Sequence, residues 1–158
     1  RMRVKPLLSL RHPFARALLS LAGKEGVGIL NYSDGKKIRF YIGEGTVLHA
    51  TGLVPLALLL GKPEASPPKD PKAEALLLAD ILTSRGWYEA FRLATLQVSL
   101  ALQAVPRLEG KKRFAFAPFP IPEALKKIAS SVRITPEALS LFFPENSEWE
   151  DPWDQTWP

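Results

Sequence analysis

Apolar and polar positions alternate most cleanly between Val27 and Thr51, VGILNYSDGKKIRFYIGEGTVLHAT. Ile38, Phe40 and Ile42 alternate with Lys37, Arg39 and Tyr41, the period of two that marks a strand with one face toward a core. Val27 to Ser33 forms the strand before it, with Ile29 and Leu30 on opposite faces, and Thr46 to Thr51 the strand after it. Asp34-Gly35 and Gly43-Glu44-Gly45 separate the three and supply the positive φ that tight hairpin turns need. The pattern predicts an antiparallel meander. Arg113 to Ala117, with Phe114 and Phe116 alternating with Ala115 and Ala117, adds a strand, and Val4 to Leu10 is a candidate edge strand limited by Pro6.

Elsewhere the period lengthens. Pro13 opens a helix whose buried stripe is Phe14, Ala17, Leu18 and Leu21, ended by Gly23. Leu53 to Leu60 reads as a short helix apolar on nearly every side, which requires burial or a partner. Residues 62–72, KPEASPPKDPK, form a Pro-rich loop with four prolines. A helical pair covers 73–105, broken at Gly86 and stopped by Pro106. Its second member, from Trp87, carries Phe91, Ala94, Leu96, Val98, Leu100 and Leu102 and is apolar on several sides. Helices then run from Pro122 to Ser131, with Lys126 and Lys127 outward, and from Glu137 to Phe143, capped by Thr135. The expected fold is α+β: an antiparallel β-meander sheet of four to five strands with helices packed on one side. Residues 1–144 form that single domain and 145–158 an acidic, Trp-rich C-terminal tail.

At 158 residues the chain is long enough to bury a core. It is 46% hydrophobic and 23% charged, which makes it globular rather than disordered. The absence of cysteine excludes disulfides, thiolate nucleophiles and thiolate metal sites. The longest apolar run, Leu53 to Leu60, is far short of the ~20 residues of a membrane span, and the N-terminal residues lack a signal peptide's apolar region. A soluble, cytoplasmic protein is expected. Fifteen prolines, one methionine and no cysteine suit a thermophilic origin.

The net charge of +5 hides an asymmetry. Residues 145–158 hold Glu145, Glu148, Glu150, Asp151 and Asp154 and no base, so the remainder carries 21 bases against 11 acids. Such a body suits an anionic partner, and nucleic acid or a nucleotide ligand is one reading, with the acidic tail autoinhibitory. Basic residues spread over solvated surfaces are the plainer reading. The tail also concentrates Trp149, Trp153 and Trp157, interleaved with Glu150 and Asp151. Tryptophans anchor interfaces, so these five residues are the candidate partner-binding set, docking on this body, on a second copy as a homodimer, or on a partner.

Candidate chemistry is sparse. Of two histidines, His12 sits at a helix entrance as a cap or exposed residue, and His49 on a half-buried strand reads as a satisfied structural residue. Neither falls in a metal-binding or nucleophile motif, and no phosphate-binding glycine loop occurs. No catalytic residue, metal or cofactor is expected.

The spacing of Gly28, Leu30, Gly35, Lys36, Tyr41, Gly45, His49 and Ala50 resembles the PatA-like N-terminal (PATAN) domain family of bacterial signalling proteins. The aromatic strand from Arg113 before a Pro-led helix fits the same pattern. The resemblance covers about residues 5 to 135 and departs at Glu109-Gly110-Lys111-Lys112 and at the Pro-rich insertion. It implies that Gly28, Gly35, Tyr41, Gly45 and His49 are structural motif positions. It further implies a non-enzymatic protein-interaction module whose partner is a response regulator, a small GTPase or its regulator, or a type IV pilus ATPase in motility control. The helical pair resembles the insert of some PATAN proteins and of cyclic-dinucleotide-binding ATPase N-terminal domains; the arginine-led nucleotide motif of the latter is missing here.

Overall fold

Two hairpin turns set the sheet. Glu44 and Gly45 take φ of 53° and 69°, and Ser33 and Gly35 take 50° and 80°, which turns the chain tightly enough for direct antiparallel return. The computed structural model of this chain describes residues 10–33, 35–53, 68–127, 130, 132–144 and 153–156. Within them β1 (Gly26–Tyr32), β2 (Lys36–Gly43) and β3 (Thr46–Thr51) form the expected meander. β4 (Lys112–Pro118) lies antiparallel on the other side of β1. The sheet order is β3-β2-β1-β4-β5, where β5 is Trp153–Thr156. The chain past Pro144 therefore contributes a strand to the sheet.

The register puts the apolar stripe together. Leu30 stands between Ile38 and Phe114, and Gly28 between Phe40 and Phe116. A Cβ on Gly28 would fall 2.5 Å from the Phe114 ring, so glycine there is what lets that ring lie across the strand. α1 (Pro13–Ser20) drops Phe14 onto this face, with ring centroids 5.0 Å from both Phe40 and Phe114. Phe14, Ala17, Leu18 and Leu21 are all buried, as their spacing predicts.

The α+β class and the meander stand as expected, and the helical cover extends further than the expected single side. α1 and the second half of α3 (Trp87–Ala104) pack with Ile38, Phe40 and Ile42, whereas α2 (Pro71–Ser84) and α4 (Glu123–Lys127) pack with Val27 and Tyr41. By the alternation of β2 these are opposite faces. Arg39 and Tyr41 read as a solvent face because they are polar; α2 covers them because it brings a polar partner, described below.

α2 starts at Pro71, two residues before the first expected helical position. The Asp70 side chain accepts from the Lys72 N–H at 3.1 Å and Pro71 occupies the first turn, so the cap lies inside the Pro-rich loop. α3 ends where Pro106 enters a 3₁₀ turn. α5 (Pro136–Leu139) is shorter than expected, capped by Thr135 through the Ala138 N–H at 3.2 Å. Lys126 is half-buried against Glu25, 3.1 Å away, rather than outward. The return segment closes the outer side of β3: Val47 N–H donates to Val132 O, Ser130 N–H to Leu48 O and Ile134 N–H to Gly45 O. No helix among the described residues is long and apolar enough to cross a membrane. Residues 4–9 of the candidate edge strand and 54–60 of the short apolar helix lie outside the described residues.

Candidate functional site

Two features stand out once the fold is in place: a buried polar cluster and an exposed apolar stripe.

The cluster grows from the β2–β3 register, which pairs Arg39 with Thr51 and Tyr41 with His49. Four polar side chains thus start from one face of two neighbouring strands. Glu74, in the first turn of α2, comes down on them and is itself only 3% exposed. Its Oε1 accepts from the Tyr41 hydroxyl and from Thr51 Oγ1 at 2.7 Å, and lies 3.2 Å from Arg39 Nη1. Arg39 also donates to the carbonyls of Pro68 at 3.0 Å and Lys69 at 2.6 Å. The guanidinium therefore fixes both the carboxylate and the chain leading into α2, a geometry that its planar fork of donors allows.

Burial, then the Glu74 carboxylate, pushes the Tyr41 hydroxyl far above its ordinary range, so it acts as a donor throughout the physiological range. The arrangement docks a helix on the sheet. A buried carboxylate with three donors on one oxygen is stable only while all of them stay in place.

His49 departs from expectation. It is fully buried, and among the described residues neither ring nitrogen has the hydrogen-bond partner that a satisfied histidine would have. Burial pushes its pKa down to about 4, so the ring is neutral at pH 7. His12 is buried as well. Its Nδ1 accepts from the Phe14 N–H at 3.1 Å, capping α1, and its ring packs 4.9 Å from Phe143. Burial and the nearby Lys112 charge lower its pKa to about 4. Among the described residues no group of three His, Cys, Asp or Glu is placed to hold a metal.

The remaining motif positions have local roles. Gly28 accommodates Phe114, while Gly35 and Gly45 take the positive φ of the hairpin turns. Tyr41 and His49 are core positions. Sequence reasoning missed Arg39, Thr51 and Glu74. The hairpin register implied by Glu44-Gly45 brings Arg39 and Thr51 together, but nothing local links either to Glu74, which is 35 and 23 residues away.

The stripe is on α3. Its inward side is largely small: Ala90, Ala94 and Ala101 are buried, with Val98 and Leu102. Several large apolar residues face out. Trp87 and Tyr88 are each 66% exposed, Leu96 53% and Leu100 39%. Tyr88, Arg92, Leu96 and Leu100 recur every four residues and so line one side of the helix. Arg92 lies 5.8 Å over the Tyr88 ring, and Trp87 stacks on Phe91 at 6.0 Å. α2 is ordered in the usual way, with Leu78, Ile81 and Leu82 buried beside Ala75 and Ala79, and Leu76 61% exposed.

Of the tail's candidate residues, Trp153 lies on β5, in register with Lys112. Trp149, Glu150, Asp151 and Trp157 lie outside the described residues. No family model, curated protein or solved structure matches this chain.

Proposed function

We propose that the chain is a non-enzymatic protein-interaction module of bacterial signalling, working in the cytoplasm. The observation that carries this reading is the outward stripe of α3. Trp, Tyr and Arg dominate binding energy at protein interfaces, and here they lie together with two leucines on one helix. Contiguous apolar surface of this kind marks interaction sites in soluble domains. The PATAN-like spacing of the meander supports the signalling context. It makes a response regulator, a small GTPase or its regulator, or a pilus ATPase the partner classes to try first.

The test is site-specific photo-crosslinking in the source cells. A photoreactive phenylalanine at Leu96 should trap a discrete protein that the same residue at Lys37, on the strand face beyond Arg39, does not trap. Tyr88→Glu should abolish that product while the purified variant keeps the parent's unfolding midpoint. Identical products from the two positions, or crosslinks to nucleic acid alone, would defeat the reading.

A further inference from the structure

The sheet has two edges, and they are finished differently. The β3 edge is closed by Ser130 and residues 132–134 of the return segment, with α3 lying against the strand. The β4 edge, at the other end of the sheet and away from the α3 stripe, is finished by β5 alone among the described residues.

β5 is unlike its neighbours. It makes the only parallel pairing among the described strands, and it is four residues long against seven for β4. It pairs Lys112 with Trp153, Arg113 with Asp154, Phe114 with Gln155 and Ala115 with Thr156. Phe116–Pro118, the rest of β4, has no strand partner on that side among the described residues. Parallel pairing is slightly weaker per residue than antiparallel, and a four-residue edge strand closes few ladder bonds. Its departure would uncover a row of backbone N–H and C=O groups, the usual template for strand addition.

Charge says what fits there. The edge begins with two exposed bases, Lys111 and Arg113, on either side of the buried Lys112, and the segment now occupying it comes from a stretch with five acids and no base. Asp154 is set opposite Arg113 by register. A second copy's tail is a poor competitor: it offers the same four residue pairings, while the tethered tail acts at an effective concentration in the millimolar range. A longer strand from elsewhere gains Phe116–Pro118 as well, which no strand among the described residues pairs on that side.

We propose that the outer edge of β4 is a strand-addition site for an extended acidic segment of a partner protein, held until then by the chain's own Trp153–Thr156. The partner segment runs parallel to β4, sets a carboxylate opposite Arg113 and continues beyond the position of Thr156. This surface is independent of the α3 stripe, and either can fail without the other.

The experiment uses the full chain and two labelled peptides, read by fluorescence anisotropy. One reproduces residues 149–156; the other extends it by Val-Thr-Val. Consecutive N–H groups of a strand point to opposite sides, so the paired change Asp154→Pro and Gln155→Pro removes whichever donor faces β4. That variant should bind the short peptide at least about ten-fold more tightly than the parent, because its site is no longer occupied in cis. The extended peptide should bind the parent about ten-fold more tightly than the short one. Arg113→Glu should weaken both, and a peptide with Lys in the Asp154 position should restore binding to that variant. Equal affinities for parent and proline variant, or an Arg113→Glu variant that binds as the parent does, would overturn the proposal. So would light scattering that finds the parent dimeric and the proline variant monomeric, since the occupant would then be a second copy. Hydrogen exchange on the parent gives a check without substitution. β4 amides facing β5 should exchange faster than the alternate ones facing β1, and equal protection of both sets would count against a displaceable strand.

Discussion

Acid should weaken this protein well before its carboxylates titrate, and His49 supplies a measurable share of that loss. Its pKa is about 4 when folded and 6.5 in the open chain. Between those values the unfolded state binds a proton that the folded state refuses. Stability therefore rises with pH across the window from about 4 to 6.5, is full above it, and falls no further from this group below it. The slope in the middle is about 1.4 kcal/mol per pH unit, and the loss between pH 7 and pH 5 is about 2 kcal/mol for one such histidine. His12, lowered equally, contributes a similar amount. Together they make about 4 kcal/mol, a large part of the 5–15 kcal/mol typical of a domain.

Urea unfolding at half-unit steps from pH 7.5 to 5 measures this directly. His49→Leu removes one titrating group while keeping an apolar side chain of comparable size, and should cut the pH-dependent loss by about half. His12→Asn keeps an N-cap acceptor for the Phe14 N–H and removes the other group. A second readout needs no substitution: in NMR titration of the parent both rings should stay neutral down to pH 5. An unchanged pH slope in His49→Leu, or a His49 ring titrating near 6.5, would refute the reasoning, because the ring would then have to be solvated.

Three further outcomes follow from the packing. Phe40→Ala opens the aromatic cluster around Phe14 and should cost about 3–5 kcal/mol in denaturant unfolding, against less than about 0.5 for exposed Lys37→Ala. Glu74→Ala leaves Arg39 and Tyr41 without their shared acceptor and should cost about 3–5 kcal/mol, with faster hydrogen exchange at the start of α2 than in the parent. Binding of the basic body to nucleic acid is the rival function: it would appear as affinity for a mixed duplex that falls steeply with salt and rises when residues 145–158 are removed. The interaction reading expects neither near physiological ionic strength.

The meander was legible because each of its signals is local. Alternation fixes the face, glycine at positive φ fixes the turn, and the turn fixes the register that brings Leu30 to Ile38 and Gly28 to Phe40. Gly28 itself was visible as a pattern position, but its reason was not, since the Phe114 ring that needs the space is 86 residues away. The polar cluster failed for the same cause. Arg39 and Tyr41 look solvated until α2 delivers Glu74, and no propensity or period tells which of the chain's many acids will be the one buried. His49 shows the converse: a polar ring on a strand suggests a satisfied partner, and the fold buries it with none among the described residues.

Which side of an all-apolar helix turns inward is decided by distance more than by hydrophobicity. α3 lies against β3, and three of its six buried residues are alanines, Ala90, Ala94 and Ala101, whose short side chains let a helix backbone approach. Trp87, Tyr88, Leu96 and Leu100 on that side would hold it away from the strand. The alternative of seating the large residues inward across a wider gap was open to the sequence, because burying a side chain of this size stabilises by about 1.5–3 kcal/mol. Leaving four of them outside forgoes several kcal/mol of the chain's own stability. α2 makes the other choice, with Leu78, Ile81 and Leu82 inside beside Ala75 and Ala79, so the outward apolar stripe belongs to α3 and not to the helical pair. A helix that leaves Trp87, Tyr88, Leu96 and Leu100 at the surface is what the proposed interaction would use, because covering them is the stabilisation that the fold itself forgoes.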